Sequence, residues 1–166
     1  MSTILNDICV YRNESVDLCD ARLEEYVSTE SMTPNRGGIT HAATLPNTGK
    51  VKAFHEGDTL VSNIRPYFKK IWKADRKGTC SNDVLVFQAK RCSDDFLYWT
   101  LSSEDFFAYV TKTSKGTKMP RGDKKAIMQY EISLLDDCAQ KAVCSLLNPL
   151  QEKIEANAKL NDYLAA

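Results

Sequence analysis

Residues 57–90 read GDTLVSNIRPYFKKIWKADRKGTCSNDVLVFQAK, and the fold class turns on how this stretch is parsed. A turn at Gly57-Asp58 opens it, followed by a short apolar run from Thr59 to Ile64 and a break at Arg65-Pro66. A run mixing aromatics and cations extends from Tyr67 to Lys73. A polar turn, Asp75 to Gly78, leads to a last apolar run, Val84 to Phe87. Apolar and polar residues alternating between turn formers are the pattern of strands. The stretch predicts an antiparallel meander with one basic, aromatic-studded face. Lys69, Lys70, Lys73, Arg76 and Lys77 fall close together, with Tyr67, Phe68 and Trp72 among them. Cations on a rigid sheet beside aromatic surface suit a polyanion that carries bases. A solvated edge strand whose lysines block aggregation has the same composition.

The chain has 166 residues, 43% of them hydrophobic, which suits one core with an appended element. Its net charge of zero hides an uneven distribution. Residues 1–60 hold 5 Lys/Arg against 9 Asp/Glu, residues 61–126 hold 14 against 7, and residues 127–166 hold 3 against 6. A basic middle between acidic ends implies a localised positive surface. The six cysteines, at 9, 19, 80, 92, 138 and 144, form no CxxC pair and no Cys/His cluster with metal-ligand spacing. They read as reduced thiols packing as small hydrophobes in a cytoplasmic protein, with no metal and no cofactor expected. The N-terminal run lacks the basic start and apolar length of a signal peptide, and no segment has the length to cross a membrane.

Working outward, Thr3 to Tyr11 is an apolar segment and Asn13 to Asp20 is loop-like. Leu23 to Ser28 reads as a short strand that buries Tyr26 and Val27. Thr29 to Ile39, with Pro34, Asn35 and Gly37-Gly38, is a loop with Arg36 at its tip. Irregular chain from Thr40 to Thr48 leads to a strand over Gly49–Phe54. After Lys90, Ser93 and Ser102-Ser103 are helix starts, because a Ser side chain accepts from the first free amides. The aromatics that follow recur at helical spacing and read as core. Thr111 to Asp123, TKTSKGTKMPRGD, is a polar loop whose cations, hydroxyls and backbone amides suit phosphates. It lacks the spacing of a Walker loop. Lys124 to Met128 adds a helical turn, and Gln129 to Leu135 reads as a closing strand.

The last thirty residues change character. Asp136-Asp137 starts a short helix over Cys138–Leu147, and Asn148-Pro149 reads as the cap and first position of another, running to Ala166. Leu147, Leu150, Ile154, Asn157, Asn161 and Leu164 are spaced 3, 4, 3, 4, 3. That is an a/d seam, in which buried Asn fixes register and partner number. Such a face requires a partner, either within the fold or on another chain. The expected division is residues 1–135 and residues 136–166.

Several stretches together resemble one family. TLVSNIRPYFKKIWKA, SNDVLVF, SKGTKMPRGDKKAIM, LQEKIEANAKLND and, nearer the N-terminus, YVSTESMTPNRGGI look like a target recognition domain and the start of the conserved spacer helix of type I restriction-modification specificity subunits (HsdS). The resemblance implies an α/β (α+β) fold: a twisted antiparallel or mixed sheet with short helices, followed by a long coiled-coil-type helix. It implies no catalytic activity. Such a domain reads half of a bipartite target in double-stranded DNA. The helices dock methyltransferase (modification) subunits, and a motor-nuclease subunit completes the enzyme. In place of the family's Pro-Pro-Leu-Glu-Glu-Gln-like helix entry stands ISLLDDCAQKAV. A full specificity subunit carries two recognition domains and this chain one, which implies an N-terminal fragment or a half-size subunit that pairs as a homodimer through the helix.

Carried over by position, the DNA-facing segments are Ser62-Asn63-Ile64-Arg65, Tyr67 to Lys70, and Ser114 to Arg121, with Arg36 beside them. Arg65 and Arg121 are expected at base edges or close phosphates, since Arg can be bidentate to guanine. Lys69, Lys70, Lys115 and Lys118 are expected at phosphates. Asn63 is a candidate reader of adenine, and Tyr67, Ser114, Gly116 and Thr117 complete the surface. Two other readings compete. A nuclease would need a PD…(D/E)xK arrangement, of which Asp83 with Gln88-Ala89-Lys90 is a faint echo. An interaction module would use the helical tail alone and leave the basic face incidental.

Overall fold

Apolar runs too short for helices become strands here, and the computed structural model describes residues 3–47 and 49–165. In chain order the elements are β1 (Thr3–Ile4), α1 (Leu5–Ile8), β2 (Cys9–Tyr11), β3 (Ser15–Asp17), β4 (Tyr26–Val27), β5 (Lys50–Phe54), β6 (Thr59–Ser62), β7 (Ile71–Lys73), β8 (Gly78–Cys80), β9 (Val84–Ala89), α2 (Asp94–Leu101), α3 (Glu104–Thr113), α4 (Lys124–Met128), β10 (Glu131–Ile132) and α5 (Asp137–Ala165). The chain divides into two compact units, Met1–Ser133 and Leu134–Ala166.

The first unit is mixed α+β. One antiparallel sheet has the order β2-β9-β6-β7, with Val61 opposite both Ile71 and Leu85. A second sheet has the order β3-β5-β8-β4, in which β4 and β8 run parallel. β1 and β10 form a separate antiparallel pair. Strands β6 and β9 are buried on both faces, which is why they read as continuous apolar runs. Val61, Leu85 and Phe87 turn toward Leu97, Leu101, Phe106 and Phe107 of α2 and α3. Leu60, Val84 and Val86 pack instead with Val27, Met32, Phe54 and Cys80, toward the second sheet. Burial pushes the Cys9 and Cys80 thiols up to about 12, so both stay protonated at neutral pH.

Several local expectations are corrected. The meander is interrupted: between β7 and β9 the chain leaves for β8 in the other sheet. Tyr67, Phe68 and Lys69 do not lie on a strand face. Pro66–Phe68 is a single 3-10 turn, because Pro66 has no amide for a ladder and Arg65 and Lys69 on either side are left-handed, at φ 49° and 52°. Ser15–Asp17, expected as loop, is an edge strand. The closing strand is only two residues long. Ser93, Ser103 and Asp123 cap α2, α3 and α4, each accepting from backbone amides in the first turn.

The second unit is α5, one helix from Asp137 to Ala165 with Pro149 inside it. The expected break at Asn148-Pro149 is absent, although Pro149 cannot donate to the Ser145 carbonyl. Asp136 caps the start by accepting from the Ala139 amide at 2.8 Å. Of the seam, Leu147 is half-buried, while Leu150, Ile154, Asn157, Asn161 and Leu164 are exposed. Leu146, Leu160 and Tyr163 are also exposed, each one position before a seam residue, and widen the apolar stripe. No helix among the described residues is long and apolar enough to cross a membrane. Thr48, at the end of the expected irregular stretch, and Ala166, the expected helix end, lie outside the described residues.

Candidate nucleic-acid interface

Three loops distant in sequence are stitched together by backbone hydrogen bonds. The Pro66–Phe68 turn closes through Phe68 N to Arg65 O at 3.0 Å and Lys69 N to Pro66 O at 2.9 Å. On one side it receives the Thr33–Gly38 loop: Asn35 N donates to Phe68 O at 2.8 Å and Arg36 N to Lys69 O at 2.9 Å. On the other it receives the 114–121 loop, where Arg65 N donates to Pro120 O at 2.8 Å and Gly122 N to Asn63 O at 3.1 Å. That loop is a closed hairpin, with Lys115 and Arg121 exchanging two backbone bonds of 2.9 Å. Gly116, at φ 100°, makes its turn.

Backbone strain concentrates here. The non-glycine residues with positive φ among the described residues are Asn35, Arg36, Arg65 and Lys69, and all four belong to this seam of loops. A left-handed residue other than glycine costs about 1–2 kcal/mol. Strain of this kind persists only where surrounding contacts over-determine it, and it clusters at functional sites.

The structure brings most of the expected residues to one surface but pairs many of their charges. Arg36 donates from Nε to Ser102 O at 2.6 Å and from Nη2 to Glu104 Oε1 at 2.9 Å, with its guanidinium over the Phe107 ring. Lys69 Nζ meets the other Glu104 oxygen at 2.6 Å. Hydrogen bonds from Lys69, and then Arg36, hold the Glu104 carboxyl below its ordinary value. Lys70 Nζ donates to Thr29 O at 2.6 Å. Lys115 pairs with Asp123 at 2.5 Å, and that contact lowers the Asp123 carboxyl. Arg121 Nη2 pairs with Asp83 Oδ2 at 3.1 Å. Among the described residues, Arg65, Thr117 and Lys118 are exposed and have no side-chain partner. Tyr67 and Phe68 are exposed and packed ring to ring at 4.8 Å, and Met119 is exposed on the neighbouring loop. Ser114 is half-buried, its hydroxyl turned back to Thr111 O at 2.7 Å.

Asn63 departs from its expected place. It is 6% exposed, its Oδ1 has no hydrogen-bond partner, and it lies against Gly122. Its backbone ties two loops at once, receiving Gly122 N and donating to Asp83 O at 2.8 Å. It is a strut under the surface and not a side chain on it.

The 81–83 turn was not singled out in the sequence as part of this surface. Ser81 N donates to Val27 O and Val84 N to Ser81 O, both at 2.9 Å, and Asp83 N donates to Ser81 Oγ. Lys52 Nζ donates to Asn82 O and Val84 O, and Asn82 Nδ2 to Lys50 O. Burial holds the Lys52 ammonium below its ordinary value. Asp83 lines a cleft of about 450 Å³ that also involves Tyr26, Ser31, Thr40, His41 and Ile64. The nuclease echo does not assemble: Asp83 and Lys90 flank opposite ends of β9, about 23 Å apart at the rise of a strand.

No protein-family profile matches the chain. The Type I restriction enzyme HindI specificity subunit of Haemophilus influenzae is 26% identical over 134 residues, covering 76% of this chain and 29% of that protein. The chain is thus similar in sequence to a type I specificity subunit. Solved structures agree in fold. A chain solved for the complex assembly and conformational transition of a type I restriction-modification system gives a TM-score of 0.73 at 20% identity, over 99% of this chain and 45% of that one. The HsdS subunit of Thermoanaerobacter tengcongensis gives 0.69 at 20% identity, again over 99% and 45%. The type I S subunit of M. genitalium gives 0.70 at 16% identity, over 98% and 42%. The chain therefore spans less than half the length of the proteins it matches.

Proposed function

We propose that residues 1–135 read one half of a bipartite double-stranded DNA target, and that residues 136–166 form the spacer and dimerisation helix of a non-catalytic type I specificity subunit. One observation carries the reading: the two cation-bearing loops, 62–70 and 114–121, are docked on one another around left-handed Arg65, with the Arg36 loop beside them. A rigid, strained surface with exposed Arg65, Lys118 and Arg121 suits a partner that is itself rigid and anionic. Lys and Arg reach phosphates and set the register, while Arg at base edges sets the sequence. The reading extends to methyltransferase subunits as direct partners, to the motor-nuclease subunit through the complex, and to a cytoplasmic setting, all from kinship with specificity subunits.

Binding of the full chain to duplex DNA tests it. With several phosphate contacts, affinity falls more than tenfold between about 50 and about 200 mM salt, and Arg65→Ala or Lys118→Ala each reduces the salt slope by about 1. Binding that ignores salt refutes the surface.

The helix supports a second role of its own. Six large apolar side chains, Leu146, Leu150, Ile154, Leu160, Tyr163 and Leu164, are each more than half exposed along one helix. Patterns of this kind are completed by a second helix. Light scattering is expected to give a dimer for the chain and a monomer for Ile154→Asp. A monomer before mutation removes the self-pairing.

A further inference from the structure

We infer that Asp83 is a specificity-determining positioning residue: its carboxylate aims the Arg121 guanidinium at a guanine in the major groove. The inference rests on the DNA-reading role proposed above and names a residue which that role does not include.

Both ends of the pair are fixed before any ligand arrives. Arg121 is held at the backbone by the two bonds it exchanges with Lys115 and by its bridge to Ile64. Asp83 sits on a braced turn, held by Ser81, by Lys52 through the flanking carbonyls, and by Asn63 through its own carbonyl. The side chains then meet through a single bond, Arg121 Nη2 to Asp83 Oδ2 at 3.1 Å. A guanidinium carries five N–H donors in a rigid fork. One bond to Asp83 leaves the remaining donors for the O6 and N7 acceptors of guanine. Arg121 stays 55% exposed at the side chain, so the fork is restrained without being covered.

This arrangement differs from the other ion pairs on the surface. Glu104 takes two cations, Arg36 and Lys69, one on each carboxylate oxygen, and Arg36 is further occupied by the Ser102 carbonyl and the Phe107 ring. Arg121, by contrast, is an arginine pinned at one point and otherwise open, opposite an acid whose backbone is immobilised. A long side chain that loses its rotamer freedom in the free protein does not lose it again on binding.

An acid beside a polyanion also repels it. That sets up a test with opposite signs. Full-length wild type, Asp83→Ala, Asp83→Asn and Arg121→Lys are each incubated with a pool of duplex DNA containing a randomised core, and bound and unbound fractions are sequenced. Circular dichroism verifies that each variant is folded; Asp83→Asn, which keeps the side chain's shape and an acceptor, serves if Asp83→Ala fails to fold. Asp83→Ala is expected to bind the unselected pool more tightly while losing preference at one G·C position by about five- to a hundredfold, the range for a bidentate arginine–guanine contact. Arg121→Lys is expected to lose the same position with pool affinity retained, and Asp83→Asn to fall between. If wild type selects a sequence and both Asp83 variants keep every preference, Arg121 aims itself and the inference is overturned while DNA reading stands. If wild type shows no salt-dependent binding to the pool, DNA reading itself fails.

Discussion

The loop surface of the first unit and the helix of the second treat their polar and apolar groups in opposite ways. In the loops, backbone amides of Asn35, Arg36, Asn63, Arg65, Arg121 and Gly122 all find carbonyls on neighbouring segments, and most cations find an acid or a carbonyl. The surface is complete before it meets anything. In the helix, the backbone bonds run along the helix itself, apart from the gap at Pro149, and the side chains are left open, with a stripe of leucines, Ile154 and Tyr163 facing solvent. A preformed surface loses little freedom on binding and suits discrimination. An uncovered apolar stripe stores its stabilisation for a partner.

The largest expected effect lies in the helix. Pro149→Ala restores one backbone hydrogen bond and removes a clash, so the helix gains about 3 kcal/mol. Thermal melts followed at 222 nm are expected to show the helical signal persisting to higher temperature. No change would mean that the gap at Pro149 is already compensated. The next effect tests whether the loops are as tightly built as their bonding suggests. A Cβ on Gly122 would come within 2.8 Å of Asn63 Oδ1, 2.9 Å of Ile127 Cδ1 and 3.0 Å of Val110 Cγ1. Gly122→Ala is expected to cost about 1–3 kcal/mol in urea unfolding, and a neutral result would show a softer surface than the loops imply.

The smallest effect concerns charge. Glu104→Gln releases Lys69 and Arg36 from their shared acid and is expected to raise DNA affinity a few-fold at low salt, with little change at high salt. The acid side sharpens this. The Glu104 carboxyl is held below its ordinary value of 4.5, first by the hydrogen bond from Lys69 and then by that from Arg36. A carboxyl lowered in the folded state contributes its full stabilisation above that ordinary value and loses it as pH falls through the lowered one. Wild type is therefore expected to lose stability more steeply than Glu104→Gln as pH drops below about 4.5. Parallel curves would mean the contacts contribute nothing to folding, as many exposed pairs do.

How much of this could be read from residue types alone varies with the range of the cause. Strands β6 and β9 were legible because short apolar runs between turn formers have few other uses, and two helix starts were legible because Ser93 and Ser103 act on amides three residues away. The Pro66–Phe68 turn was not. Its flanking left-handed residues are Arg65 and Lys69, neither of which advertises that conformation, and only the missing Pro66 amide argued against a strand. Strands β3 and β8, three residues each, exist because neighbours in space complete them. On the surface, residue types located the cations but not their partners: Arg121 and Asp83 are 38 positions apart, and Arg36 and Glu104 are 68. Asn63 was a candidate reader by residue type, and its side chain is buried against Gly122 for the same reason, since burial is set by the loop that carries Gly122.

The pairing of Thr3 with Ile132 has a consequence for how the chain acquires this shape. Among the described residues the first and last strands of the unit pair with each other and with no third strand, and Cys9 likewise waits for Ala89. Closing such wide loops costs entropy before any contact returns it, and domains of this kind fold in times on the order of milliseconds to seconds. During synthesis the loop carrying Arg36 and the turn carrying Arg65 emerge long before Pro120 and Gly122, whose backbones complete the surface. The strained segments are thus the last to be fixed, and a nascent chain stalled short of residue 122 would carry the reading residues without the geometry that orients them.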